Sequence, residues 1–162
     1  MNWMDMPSPL GTLRLTGAGE YLTGVYFPDG RHQPTNWYEE ADTPVLAATR
    51  RWLESYFAGE QLPALPPIRP EGTDFQRQVW EILSAIPYGE SMSYGTVAGL
   101  LAAGRGRKVA AQAVGQAVGR NPISILIPCH RVLAANHALG GYGSGLWRKE
   151  YLLQLENINY NK

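Results

Sequence analysis

The sequence predicts a mixed α/β chain in two parts: a small α/β N-terminal part, then a mainly helical C-terminal part carrying a helix-turn-helix. Three observations predict it. Alternating apolar residues before position 30 are followed by a helical pattern, prolines crowd residues 62–70, and short helical patterns broken by glycines fill the remainder of the chain. With 162 residues, 44% of them hydrophobic, the chain has enough apolar material to bury a core as one domain or two small ones. We divide it into 1–70, ending in a Pro-rich linker at 62–70, and 71–162.

Gly11 to Phe27 alternates in part around Thr16-Gly17-Ala18-Gly19-Glu20, the pattern of a strand, a turn and a strand. Thr43-Pro44 supplies an N-cap and a first helical residue, and Val45, Leu46, Thr49, Trp52, Leu53, Tyr56 and Phe57 recur at helical spacing up to Gly59. Prolines 63, 66, 67 and 70 oppose both helix and sheet ladder, so that segment reads as extended. Thr73 or Asp74 caps the next helix, which carries Phe75, Val79, Trp80, Ile82 and Leu83 and ends before Pro87. Ser93 caps a short helix to about Ala103, Gly104-Arg105-Gly106 makes a turn, and Arg107 to Val118 forms a second helix. That is the helix-turn-helix plan, although any αα corner has the same outline. Ala110, Ala111, Ala113, Gly115, Ala117 and Gly119 make the second helix small-sided, which suits close approach to a partner and close packing in a core equally well. Ile123 to Ile127 reads as a buried strand, Arg131 to Leu139 as a surface loop, Gly140 to Gly145 as a flexible one, and Leu146 to Glu156 as a last helix.

The formal net charge of zero conceals an uneven distribution. Residues 1–90 hold 12 of the 14 acids and 6 of the 14 bases. From Ser91 to Lys149 there is no acid, while Arg105, Arg107, Lys108, Arg120, Arg131, Arg148 and Lys149 are positive. A patch of one sign attracts a polyanion, so the second half is the candidate nucleic-acid surface, with Arg105, Arg107 and Lys108 placed to meet phosphates at the start of the second helix. An ordinary solvated face accounts for the same count. No stretch approaches the 18 or so apolar residues that would span a bilayer, and no signal-like start is visible.

Cys129 is the single cysteine and stands in Ile125-Leu126-Ile127-Pro128-Cys129-His130-Arg131-Val132. It has no partner for an intrachain disulfide, which leaves a packed core thiol or a reactive one, in a chain expected in the reducing cytoplasm. A free thiol of pKa ~8.5 is only about 3% ionised at pH 7, and the flanking nitrogenous side chains favour the reactive reading. Adjacent side chains on an extended strand point to opposite faces, so for His130 to accept the thiol proton the backbone must turn there or a water must bridge. The histidine then needs a carboxylate to orient it: Glu156 is the better candidate and Glu150 the competitor.

Asn121-Pro122, the Ile125–Val132 run, Gly141-Tyr142, Lys149 and Glu156 together closely resemble the O6-alkylguanine-DNA alkyltransferases, with Pro-Cys-His-Arg-Val the strongest signal. The resemblance is dense over 73–156 and loose over the first 70 residues. It implies a ribonuclease H-like N-terminal domain without that enzyme's activity, and a function in direct-reversal DNA repair. Cys129 would be the alkyl acceptor, acting once. His130 would be its water-mediated base, Glu156 the orienting carboxylate, and Tyr94 the residue that crowds the phosphate and protonates the leaving guanine. Asn121 would tie the recognition helix to the cysteine loop, the carbonyls of Cys129 and Val132 would receive the guanine amine, and Tyr142 with the Gly143 amide would line the alkyl pocket. Gln112, Arg105, Arg107, Lys108, Ala111, Gly115, Arg120 and Arg131 would meet DNA, in the minor groove and with the base flipped. The partner implied is double-stranded DNA carrying O6-alkylguanine, with O4-alkylthymine a further substrate, and the chain is expected to be a monomer without cofactor, metal or membrane.

Two departures from the family pattern matter. Gln112 stands where an arginine usually fills the gap left by the flipped base. Zinc, which some members bind in the front domain, finds no ligand set in His32 and the active-site cysteine. The alternative is a non-catalytic alkyltransferase-like lesion-binding protein, which Cys129 opposes and Gln112 keeps open. A cysteine hydrolase or a plain helix-turn-helix regulator leaves more of the motif unexplained.

Overall fold

The computed structural model describes residues 1–30, 33–34 and 39–162, so His32 lies outside the described residues. Its secondary structure is mixed α/β, and the chain forms two units, Met1–Glu71 with Pro122–Ser124, and Gly72–Asn121 with Ile125–Lys162.

The first unit is built on a sheet. β1 (Asn2–Met6) pairs antiparallel with β2 (Leu13–Ala18), which pairs antiparallel with β3 (Tyr21–Tyr26), and β4 (Glu39–Glu40) adds a short parallel edge beside β1. The β2–β3 hairpin is the one that the alternation predicts. β1 has no comparable signal, because only Met6 of its five residues is buried. α1 (Pro44–Ala58) starts at a Thr43 side-chain cap and ends at Gly59, whose φ of 70° is the left-handed conformation that releases a helix. Leu46, Trp52, Leu53 and Tyr56 lie buried on one side of it.

The Pro-rich segment departs from expectation in one respect. The Leu22 N–H donates to Pro67 O (2.8 Å) and the Leu22 carbonyl accepts from Arg69 N–H (2.8 Å), so Ile68 makes a single bridge on the edge of β3. Proline lacks a donor but keeps its acceptor, and one bridge needs a donor only from Arg69. Pro122–Ser124 lies beside the same strand, bonded to both polar groups of Val25.

In the second unit α2 (Asp74–Ser84) opens with a capping box between Thr73 and Gln76. β5 (Met92–Ser93) runs directly into α3 (Tyr94–Arg105), capped by Ser93. Gly104 and Arg105 continue this helix, and Gly106 alone, at φ 69°, stops it. α4 spans only Ala111–Gly119, with Ala110 as an extended N-cap residue. The chain needs 107–110 to change direction, so Arg107 and Lys108 lie before the second helix rather than in its first turn. The Trp80 indole N–H donates to Ala117 O (2.8 Å), joining α2 to the last turn of α4.

Residues 123–127 are buried, as their composition predicts, but they are not a continuous strand. Ile125 has φ 73° and the chain turns there. A short apolar run has no periodicity to separate a strand from a buried turn. Arg131, Val132 and Leu133 are also buried, against the surface loop expected for them: β6 (Val132–Leu133) pairs parallel with β5, and Leu133 packs with Leu139, Leu153 and Ile158. α5 (Leu146–Leu155) closes the unit, with Glu156 as its C-cap.

Candidate active site and nucleic-acid interface

Cys129–Arg131 forms one turn of 3-10 helix, so the backbone does turn where a Cys-His pair requires it. The Cys129 N–H donates to Ile127 O (2.8 Å), the Arg131 N–H to Pro128 O (3.0 Å), and the Val132 N–H to Cys129 O. At the end of α4, Asn121 Nδ2 donates to Ile127 O (2.8 Å), which ties that helix to the cysteine loop. The β5–β6 pairing aligns Ser93 with Leu133 and brings Tyr94, the first residue of α3, beside the same loop. A Cβ added at Gly115 would lie 4.0 Å from the Tyr94 ring, so α4 approaches that tyrosine through its glycine.

Glu156 is the hub of the buried charge. Oε2 lies 2.5 Å from His130 Nε2, while Oε1 accepts from Arg131 Nε (2.7 Å) and from the Gly89 N–H (3.0 Å). Glu150, the competitor, accepts instead from the Tyr160 hydroxyl (3.3 Å) and pairs with Lys162 (3.2 Å). Burial alone would raise the Glu156 pKa, but the donors of His130, Arg131 and Gly89 outweigh it and hold it down at about 2. Burial pushes His130 below its ordinary value despite that carboxylate. The pair at neutral pH is therefore a carboxylate and a neutral imidazole. A carboxylate only accepts, so Nε2 carries the proton and Nδ1 keeps its lone pair. Nδ1 is buried with no hydrogen-bond partner among the described residues.

The thiol is 6% exposed, and burial raises its pKa against the hydrogen bonds of Asn121 and Tyr142, the charge of Lys149 and a backbone N–H. This corrects the expectation drawn from the neighbouring side chains: His130 and Arg131 turn to Glu156, and Cys129 rests as a neutral thiol that needs a base. Burial, with the nearby Cys129, also raises Tyr94, keeping its phenol protonated. Lys149, counted in the sequence as a surface charge, is wholly buried. Its Nζ donates to Val132 O (2.7 Å) and Gly141 O (3.2 Å), and burial lowers it to about 8. Val132 is buried, Tyr142 half-buried and Gly143 exposed.

The basic surface is smaller than the sequence suggests. Arg131, expected to meet DNA, is 7% exposed and is held by Glu156 and by Ile86 O (2.7 Å). Arg148 is buried too, donating to Ser144 O (2.7 Å). Arg107, Lys108 and Arg120 remain exposed, and so do Ala111 and Gln112, with Gly115 partly so. Arg105 is half-buried, bonded to Gln78 Oε1 (2.7 Å). Among the described residues no group of three His, Cys, Asp or Glu side chains could hold a metal, and no helix is long and apolar enough to cross a membrane.

A family profile described as the 6-O-methylguanine DNA methyltransferase DNA-binding domain matches residues 74–158. A Haemophilus influenzae protein named methylated-DNA--protein-cysteine methyltransferase is 43% identical over 95% of this chain and 85% of its own length. The chain belongs to this methyltransferase family. A methyltransferase of the same name from Methanosarcina acetivorans is 45% identical over 96% of this chain and 98% of its own. Among solved structures, Mycobacterium tuberculosis OGT in complex with DNA is similar with a TM-score of 0.84 and 41% identity, covering 96% of this chain and 92% of that one. These methyltransferases do not favour the alternative of a non-catalytic lesion binder.

Proposed function

We propose that this chain repairs DNA by direct reversal, moving the alkyl group of O6-alkylguanine in double-stranded DNA irreversibly to Cys129. The observation that carries the reading is the buried Cys129-His130-Glu156 arrangement in a chain of this family. His130 Nδ1 takes the thiol proton through a water, and Glu156 steadies the imidazolium that forms. The thiolate attacks the alkyl carbon, an S–C bond forms, and the C–O6 bond breaks with its electron pair going to the guanine. Tyr94 donates a proton to that leaving base. The product is a thioether, which offers no carbonyl for water to attack, so each molecule acts once.

The base is buried in a duplex and must be flipped out at a cost of a few kcal/mol. The small-sided α4 enters the minor groove, Gln112 stands at the gap, and Arg107, Lys108 and Arg120 meet phosphates. Tyr142 and Gly143 line the alkyl side of the pocket, while the carbonyls of Cys129 and Val132 receive the guanine amine. O4-alkylthymine is a further substrate of the same chemistry. The protein acts as a monomer, and a thiol that must stay reduced suits the reducing cytoplasm.

Incubation with a duplex containing O6-methylguanine is expected to add one methyl mass to the peptide holding Cys129, with a yield capped at one per molecule. Repeated turnover, or binding without a mass change, would sink the reading. Gln112→Arg is expected to tighten duplex binding roughly five- to tenfold, since a charged donor beside the orphaned base and its phosphates is worth about 1 kcal/mol or more. Unchanged affinity in a gel-shift titration removes the weight placed on that position.

A further inference from the structure

We propose that Asn161 is a positioning residue for the transfer reaction: it clamps the turn at Asn136 and His137, and that turn sets Gly140 against the ring of Tyr94. The inference rests on the proposed function, which gives Tyr94 and the alkyl-side loop their roles. Three hydrogen bonds make the clamp. Asn161 Nδ2 donates to Asn136 O (2.7 Å), its backbone N–H donates to His137 O (2.7 Å), and its carbonyl accepts from the Leu139 N–H (2.9 Å). The segment that carries it is anchored separately. Asn157, at φ 58°, turns the chain after α5, Ile158 is buried with Leu133, Leu139 and Leu153, and Tyr160 packs on the same cluster.

The turn needs an outside hold. Asn136 (φ 57°) and His137 (φ 58°) are consecutive residues in the left-handed region, which disfavours a side chain with a Cβ, and such a pair persists only where its surroundings determine it. Both are exposed, so packing does not supply that hold. Within the turn the Ala138 N–H donates to Ala135 O (3.2 Å) and the Ala134 N–H to Ala138 O (2.9 Å), and neither bond uses a polar group of Asn136 or His137. Asn161 takes the carbonyls of both. The consequence reaches the site in one step along the chain. Leu139, held by Asn161 O, precedes Gly140, whose backbone passes so near Tyr94 that an added Cβ would lie 3.3 Å from ring Cε2 and 3.6 Å from the phenol oxygen. Gly140 therefore contributes to the burial that keeps Tyr94 protonated, and it begins the loop that carries Tyr142 and Gly143. If the turn relaxes, Gly140 withdraws, and the proton donor loses the wall that fixes its ring.

Asn161→Ala removes the bond to Asn136 and leaves the anchoring of Ile158 and Tyr160 in place. In protein labelled with carbon-13 tyrosine, with the Tyr94 signal assigned by its loss in Tyr94→Phe, this variant is expected to lower the phenol midpoint toward its ordinary value of 10. Leu139 amide exchange should speed up roughly three- to tenfold, the effect of one lost hydrogen bond, and methyl transfer from saturating duplex should slow by a similar factor with duplex affinity unchanged. Adding His137→Gly, which admits the left-handed turn without a clamp, should return both the Tyr94 midpoint and the transfer rate toward wild type. An unchanged Tyr94 midpoint in Asn161→Ala overturns the proposal even if the melting temperature falls, and so does a midpoint shift that His137→Gly leaves untouched. The titration and the exchange are read without DNA, so they remain decisive if the wild-type chain transfers no methyl group, the result that would sink the transferase reading instead.

Discussion

Replacing Cys129 with serine is expected to reduce methyl transfer from one group per molecule to none detectable, while duplex affinity stays within about twofold of wild type. The first part follows from the nucleophile. A serine hydroxyl is a far weaker acid than a thiol, and the site offers a neutral imidazole as base, which can serve a thiol but not generate an alkoxide. The second part follows from position. Cys129 is 6% exposed within the 3-10 turn, whereas the groups assigned to DNA lie elsewhere: Gln112 on α4, with Arg107, Lys108 and Arg120 flanking that helix. Serine is slightly smaller than cysteine, and Asn121 and Tyr142, whose side chains favour the ionised sulfur, remain beside its hydroxyl. Intact-mass measurement beside a gel-shift titration checks both parts. Residual methylation of Cys129→Ser would assign the acceptor elsewhere, and lost binding would place the thiol in the interface.

Most of the helical framework was legible because its signals are local. Thr43, Thr73 and Ser93 cap α1, α2 and α3 as their residue types predict, and Gly59 ends α1 as expected. Tertiary requirements decided the rest. Nothing near Ile125 advertises a positive φ, and a β-branched residue in that conformation is held only by its surroundings. β1 is a central strand with one buried side chain, so its place rests on backbone pairing with β2 and β4 instead of on a pattern. The same limit governed the site. The chemistry of the Cys129-His130 pair left Glu156 and Glu150 as rivals and the family resemblance pointed to Glu156; the fold sets Glu150 against Tyr160 and Lys162. Charge counting treated Arg131, Arg148 and Lys149 as surface cations, because composition does not distinguish a solvated guanidinium from one folded onto a carboxylate or carbonyl. The acid-free segment did carry a warning: Glu150 and Glu156 alone follow it, and so few acids beside several cations are a place to look for buried pairing.

That buried pairing sets the second large effect. Glu156→Ala is expected to destabilise the fold by about 3–5 kcal/mol, the range for removing one partner of a buried ion pair, and to suppress transfer as well. It would leave Arg131 with Ile86 O as its remaining side-chain hydrogen-bond acceptor among the described residues, strip the Gly89 N–H of its acceptor, and free His130 Nε2 from the carboxylate that fixes its tautomer. Acid should imitate the substitution. The folded-state pKa of Glu156 is depressed, so its stabilisation is fully present above the unfolded value near 4.5 and is lost as pH falls from there toward about 2. His130 is depressed as well: it stabilises the fold while neutral, and that contribution declines as pH falls below its ordinary value of 6.5. Wild-type stability should therefore decline in two stages, first below pH 6.5 and then more steeply below 4.5. Denaturant titrations across this range should show Glu156→Ala lacking the second stage. Parallel acid curves for the two proteins would mean that the carboxylate does not hold this cluster, and the neutral-histidine tautomer on which the Cys129 mechanism relies would lose its support.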